Sequence, residues 1–107
     1  MTINWQIAEI KRKPDTGLVI EVLYIMNFEL EDKGDRHVGS ITLTGDPSSP
    51  DFIPFENLTQ EIVTGWVQTK LGETKINEIT TSTQARLQER IYRENNPEFL
   101  TGMPWEA

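Results

Sequence analysis

Between Leu18 and Leu30 every even-numbered position is apolar: Leu18, Ile20, Val22, Tyr24, Met26, Phe28 and Leu30. A two-residue period puts all seven side chains on one side of an extended chain, whereas a helix would scatter them around its axis. The odd positions Val19, Glu21, Leu23, Ile25, Asn27 and Glu29 are polar towards one end and apolar in the middle. The segment therefore reads as a β-strand with one wholly apolar face and a second face greasy at its centre. At about 3.3 Å per residue it spans roughly 40 Å. A strand this long needs neighbours of similar length and a layer covering its apolar side. Leu23 and Ile25, on the other side, are expected to meet a second surface.

The neighbours are legible on both sides. Ile3, Trp5 and Ile7 alternate with polar residues, and then Ala8 and Ile10 carry the apolar face out of phase, which predicts a bulge or bend near Ala8. This first strand is placed at about 2–11. Lys13-Pro14-Asp15-Thr16-Gly17 follows as a turn, because proline presets φ and Gly17 can take positive φ. The central strand is placed at about 18–30. Glu31-Asp32-Lys33-Gly34-Asp35-Arg36 is read as a charged hairpin loop around Gly34, and a third strand at about 37–44, with Gly39 as a bulge site. Short connections favour an antiparallel meander.

Three prolines between Pro47 and Pro54 forbid regular structure, so residues 45–55 are read as a crossover with Phe52, Ile53 and Phe55 tucked against the core. From there the period becomes helical. Thr59 is an N-cap candidate, Asn57 a competing one, and Ile62, Val63, Trp66, Val67 and Leu71 form an apolar stripe that stops at Gly72. A second helix is placed at about 73–94, on the narrow stripe Ile76, Ile79, Thr83, Leu87 and Ile91. Glu89 with Arg93, and Arg90 with Glu94, are spaced for pairing along an exposed helical face. Trp5 and Trp66 are read as core. Fold class is thus α+β: a three-stranded antiparallel meander packed on two C-terminal helices within one domain, 1–97, followed by an extended tail, 98–107. That tail carries Phe99, Leu100, Met103 and Trp105 with no period, and docks either on its own domain or on another chain.

Composition narrows the chemistry. The 107 residues include no cysteine and one histidine, with a net charge of −7. Disulfides, thiolate metal sites, thiol catalysis and His-pair metal sites are excluded on those counts. The negative balance argues against binding nucleic acid or anionic membrane surfaces. Glu29, Glu31, Asp32, Asp35 and His37 do not have the oxygen spacing of a calcium loop and read as a solvated hairpin tip, with His37 a surface turn residue. The glycines form no phosphate-cradling pattern. Neither a leader nor an apolar run long enough to cross a bilayer is evident, so the Asn57-Leu58-Thr59 sequon reads as incidental. No catalytic, cofactor-binding or metal-binding residue is expected. The expected sites are protein interfaces: Leu23 and Ile25 on the strand, and Phe99, Leu100, Met103 and Trp105 in the tail.

Trp5 in an N-terminal strand, Asp46-Pro47, the run Phe55-Glu56-Asn57-Leu58-Thr59 into Gly65-Trp66-Val67, Leu71-Gly72-Glu73 and Pro104-Trp105 together resemble a family of small tailed-bacteriophage proteins. That family is encoded among phage structural genes, many of them in cyanophages. Here Glu106-Ala107 extends past the tryptophan and the second helix is richer in arginine. The resemblance implies a virion structural protein made in the host cytoplasm, with other phage structural proteins as partners, and it implies no enzymology. The favoured expectation is a tail or baseplate adaptor docking fibres or other tail parts, with homo-oligomers allowed. Capsid decoration is the first alternative; a fibre-assembly chaperone and an acidic host-directed inhibitor are others.

Overall fold

The computed structural model describes residues 1–97, as a three-stranded antiparallel sheet, β1 (Thr2–Arg12), β2 (Val19–Leu30) and β3 (Lys33–Thr42), followed by one long helical element, α1 (Gln60–Asn95). The strands lie in the order β1-β2-β3, so the long alternating segment is the central strand, as its two-sided apolar character requires. The α+β meander is the fold that the periodicity predicts.

From Val22 to Phe28 the even face of β2 is the core; at the start of the strand the expected phase reverses across the register shift between Lys11 and Arg12, with Val19 buried and Ile20 exposed. Val22, Tyr24, Met26 and Phe28 are all buried, and on the same face lie Trp5, Ile7 and Ile10 of β1 and Ile41 of β3. Each fully buried large apolar side chain contributes about 1.5–3 kcal/mol, so these few residues carry much of the fold. The phase slip at Ala8 is a register shift: Ile7 pairs with Tyr24 and Glu9 with Leu23, leaving Ala8 as the extra residue. Ile10 thereby regains the core face opposite Val22. The β1–β2 turn closes as expected, with Gly17 at φ 74° donating its N–H to the Lys13 carbonyl at 2.8 Å.

The second hairpin is tighter than the charge pattern suggested. Leu30 pairs with Lys33, so the loop is only Glu31 and Asp32, and β3 begins four residues before the expected position. Gly34 lies within the strand opposite Glu29. Glu31 takes the positive φ (56°) that a turn of this length demands at its first position. No bulge occurs at Gly39, which pairs directly with Tyr24. Its missing side chain makes room for the tyrosine ring, since a Cβ there would lie 2.5 Å from Tyr24 Oη.

The helical region is continuous in its outline but broken where the sequence stops the first stripe. Gly72 has φ 81° and ψ 158°, a conformation foreign to a helix. Two helical segments therefore meet at an angle there. Thr59 caps the first, its Oγ1 accepting from the Ile62 N–H at 3.2 Å. Val63 and Val67 are buried from the first segment, and Ile79, Thr83 and Leu87 from the second. The thin second stripe is thus fully docked at its centre: Leu87 is 0% exposed and Thr83 1%. Trp5 and Trp66 lie partly buried at the margin of the core.

The proline-rich crossover is ordered by its own side chains. Asp46 Oδ1 accepts from the Ser48 N–H at 2.9 Å and from the Ser48 hydroxyl at 2.7 Å. These bonds hold the Asp46 carboxyl below the usual carboxylate range. The crossover ends in a short 3₁₀ turn, Phe55–Asn57, and Phe55 returns to the first hairpin. Its ring lies 3.6 Å beneath the Arg12 guanidinium.

Candidate docking surface

One face of the sheet is covered by α1; the other carries Leu23 and Ile25, as predicted. Pairing across the ladder adds a residue that sequence reasoning missed. Ile25 stands between Gln6 of β1 and Val38 of β3, and Leu23 between Glu9 and Ser40. Val38 is 55% exposed, while Leu23 and Ile25 are half-buried by these neighbours. An apolar stripe thus crosses the sheet from the centre of β2 to β3. Towards the second hairpin it is bordered by uncharged groups, with Asn27 Nδ2 donating to Gln6 Oε1 at 3.5 Å. Glu9 flanks it beside Leu23, and further charges sit at the two ends, where Lys11 faces Glu21 at 3.7 Å and Arg36 lies opposite Asn27. The missing signal was register: the two-residue turn sets Val38 opposite Ile25, which the spacing along β3 alone does not show.

The strand edges are reached by α1. Gln60 Nε2 donates to the Trp5 carbonyl on β1 at 3.4 Å, and Arg90 Nη1 donates to the Gly34 carbonyl on β3 at 3.0 Å. An edge strand offers unpaired backbone groups to other chains, and each of these bonds engages one carbonyl of an edge strand. Arg90 and Glu94 were expected to pair on an exposed helical face. Each instead turns to β3, Arg90 to Gly34 and Glu94 to Lys33, while Glu89 and Arg93 do pair, at 2.6 Å. Arg86 adds a third link, its Nε 3.2 Å from Asp35 Oδ2. Burial opposes ionisation of Asp35, but the Arg36 N–H and the Arg86 guanidinium outweigh it and hold the carboxyl low.

His37 is on β3 and not in a turn. It is half-buried on the core face, its ring 5.7 Å from that of Tyr24. The Tyr24 hydroxyl lies 3.2 Å from His37 Nε2 and donates to it when the ring proton is on Nδ1. Burial pushes the His37 pKa down, with the charges of Lys75 and Arg86 acting in the same direction. Burial also pushes the Tyr24 phenol up. The histidine and the phenol form a structural pair here, packed beside Trp5, whose ring is 6.0 Å from that of Tyr24.

The match that decides the family covers residues 1–105, nearly the whole chain, and its model is that of a domain of unknown function, DUF7936. The chain belongs to the DUF7936 family. Comparison with curated proteins and with solved structures returns no match.

A further concavity of this DUF7936 chain, about 300 Å³, lies between the crossover and the sheet end near the first hairpin. Leu18, Leu43, Phe52 and Trp66 supply its apolar wall, with Asp46 and Asp51 among its polar lining. Among the described residues no group of three or more His, Asp or Glu side chains is placed to hold a metal ion. No described helix is long and apolar enough to cross a membrane. The expected tail anchors Phe99, Leu100, Met103 and Trp105 lie outside the described residues.

Proposed function

We propose that this protein is a structural component of a bacteriophage virion, a tail or baseplate adaptor that docks fibres or other tail parts through protein–protein contacts. The observation that carries the docking mode is the Leu23–Ile25–Val38 stripe, left open on a sheet whose other face is closed by α1. Leu23 and Ile25 are half-buried by their cross-strand neighbours, and the apolar surface they and Val38 still present would gain further from burial against another chain. A subunit boundary accounts for them. The resemblance in the strand, helix and Pro104-Trp105 motifs supplies the particle, and the tail anchors Phe99, Leu100, Met103 and Trp105 supply a second contact. The chain is made in the host cytoplasm and ends in the virion, with no reaction of its own.

Mass spectrometry of purified particles tests this reading, with the chain expected in stoichiometric amount. Its absence from particles would sink the virion role and favour a fibre-assembly chaperone or a host-directed inhibitor. A particle reconstruction distinguishes the tail or baseplate position from capsid decoration. Deleting residues 98–107 should leave the domain folded yet keep it out of particles; normal incorporation would remove the tail from the account.

A further inference from the structure

We infer that the cavity between the crossover and the first-hairpin end of the sheet is a receptor for an arginine side chain presented by a partner protein. The site is separate from the Leu23–Ile25–Val38 stripe and does not depend on what meets that face.

Three properties of the cavity select that side chain. The first is its wall, where Leu18, Leu43, Phe52 and Trp66 are each only half-buried and offer apolar surface to the opening. The second is its rim. Asp46 and Asp51 are exposed there, and the lining includes no lysine, arginine or histidine. Among the described residues no ion pair engages either carboxylate, so their charge is open to a cation from outside. The third is size. A volume of about 300 Å³ is at the lower limit of ligand sites and suits one long side chain better than a cofactor.

A greasy wall under an anionic rim matches a ligand with an apolar stem and a positive head, which arginine and lysine both have. The aromatic rings in the wall favour arginine. Its guanidinium is planar, less tightly hydrated than an ammonium, and stacks on aromatic faces. The crossover already holds one guanidinium in this way, with Arg12 lying 3.6 Å from the centre of the Phe55 ring. An acidic side chain meets repulsion from both carboxylates, and a purely apolar one leaves the rim without a partner.

Wall and rim are set before any partner arrives. The Leu43 N–H donates to the Ile20 carbonyl at 2.8 Å, which ties the cavity to the sheet. Asp46 and Asp51 sit in successive turns: the Ser49 N–H donates to the Asp46 carbonyl, and the Phe52 N–H to the Ser49 carbonyl, each at 3.0 Å. The two bonds from Ser48 keep the Asp46 carboxyl ionised at neutral pH. A preformed site loses less affinity to ordering, but an ion pair in water is weak, so a single free side chain binds weakly.

Two-dimensional NMR of the full chain, titrated with N-acetyl-arginine amide, tests the site. Saturable shifts are expected at the Leu43 and Gly45 amides and the Trp66 indole, with a Kd of roughly 3–30 mM. N-acetyl-norleucine amide, which has a stem and no charge, should bind at least about threefold more weakly, and N-acetyl-glutamate amide should give no saturable shift. Raising salt from about 50 mM to about 500 mM should weaken the arginine probe and not the norleucine probe. Asp46→Asn combined with Asp51→Asn removes both charges and keeps oxygens able to accept the turn bonds; it should bind arginine no better than norleucine. Should that variant fail to fold, Asp51→Asn alone should weaken arginine by about twofold. Free arginine should bind no better than the capped form; a clear preference for the free amino acid would make the ligand a metabolite and overturn the protein partner. Equal binding of arginine and norleucine, unchanged affinity in the variants, or no shift at the cavity also overturns the inference. None of these outcomes involves the particle, so the virion role is tested separately.

Discussion

Replacing Gly39 by alanine adds a single methyl group where the structure has no room for one. The new Cβ would lie 2.5 Å from Tyr24 Oη, 2.8 Å from Cζ and 3.1 Å from Cε1. Non-bonded carbon atoms settle at about 3.5–4.0 Å, so the ring must retreat by the better part of an ångström. It has nowhere easy to go. Tyr24 is buried between Trp5 and His37, with ring centroids 6.0 Å and 5.7 Å away. Overpacking of this kind costs about 1–3 kcal/mol. Losing the Tyr24–His37 hydrogen bond as the ring shifts adds about 0.5–1.5 kcal/mol. Against this, removing a strand glycine returns about 0.5–1 kcal/mol of backbone entropy. The net expectation is a loss of about 1–3 kcal/mol, or a fall of roughly 5–20 °C in Tm for a domain of this size. Urea unfolding followed by tryptophan fluorescence reads it as a lower midpoint at unchanged m. Tyr24→Phe removes the atom of closest approach, so the double variant should cost less than the two single variants summed, by at least about 0.5 kcal/mol. A Gly39→Ala protein as stable as the wild type, or strict additivity with Tyr24→Phe, would refute the packing argument.

Three further outcomes follow from the same structure. His37 has a folded pKa below its ordinary 6.5, so the unfolded chain takes up the proton more readily. Its contribution to stability is complete above about pH 6.5 and is lost as pH falls from there towards the folded value. Urea midpoints measured at about pH 7.5 and pH 5.5 should therefore fall further in the wild type than in His37→Gln; equal falls would contradict this. Glu31→Gly should raise stability by about 0.5–1 kcal/mol, because φ 56° strains any residue with a Cβ, and a lower unfolding midpoint would count against the turn assignment. At Gly72 a Cβ meets nothing within 4 Å, so Gly72→Ala isolates backbone strain. The φ 81°, ψ 158° region is nearly exclusive to glycine, and thermal unfolding should show a loss of about 1–3 kcal/mol. An unchanged Tm would mean that the bend is not required.

The chain's alternation between Val22 and Phe28 determined the sheet, its central strand and the face that forms the core, because side-chain direction along a regular strand follows parity. At the start of β2 the register shift between Lys11 and Arg12 overrode it, burying Val19 and exposing Ile20. The slip at Ala8, the Gly17 turn, the Thr59 cap and the break at Gly72 were equally local, each set by the φ/ψ or hydrogen-bonding habit of one residue. What only the tertiary structure decided depends on pairing between distant segments. Glu31 and Asp32 close the second hairpin because Leu30 and Lys33 meet in register, despite a charged run that looks like a longer loop around Gly34. That register places Val38 beside Ile25 and His37 beneath the Tyr24 hydroxyl, and turns Gly39 from an apparent bulge into the gap a ring fills. Arg90 and Glu94 leave their helical spacing for the same reason: β3 presents them with a carbonyl and a lysine that no reading of the helix alone contains.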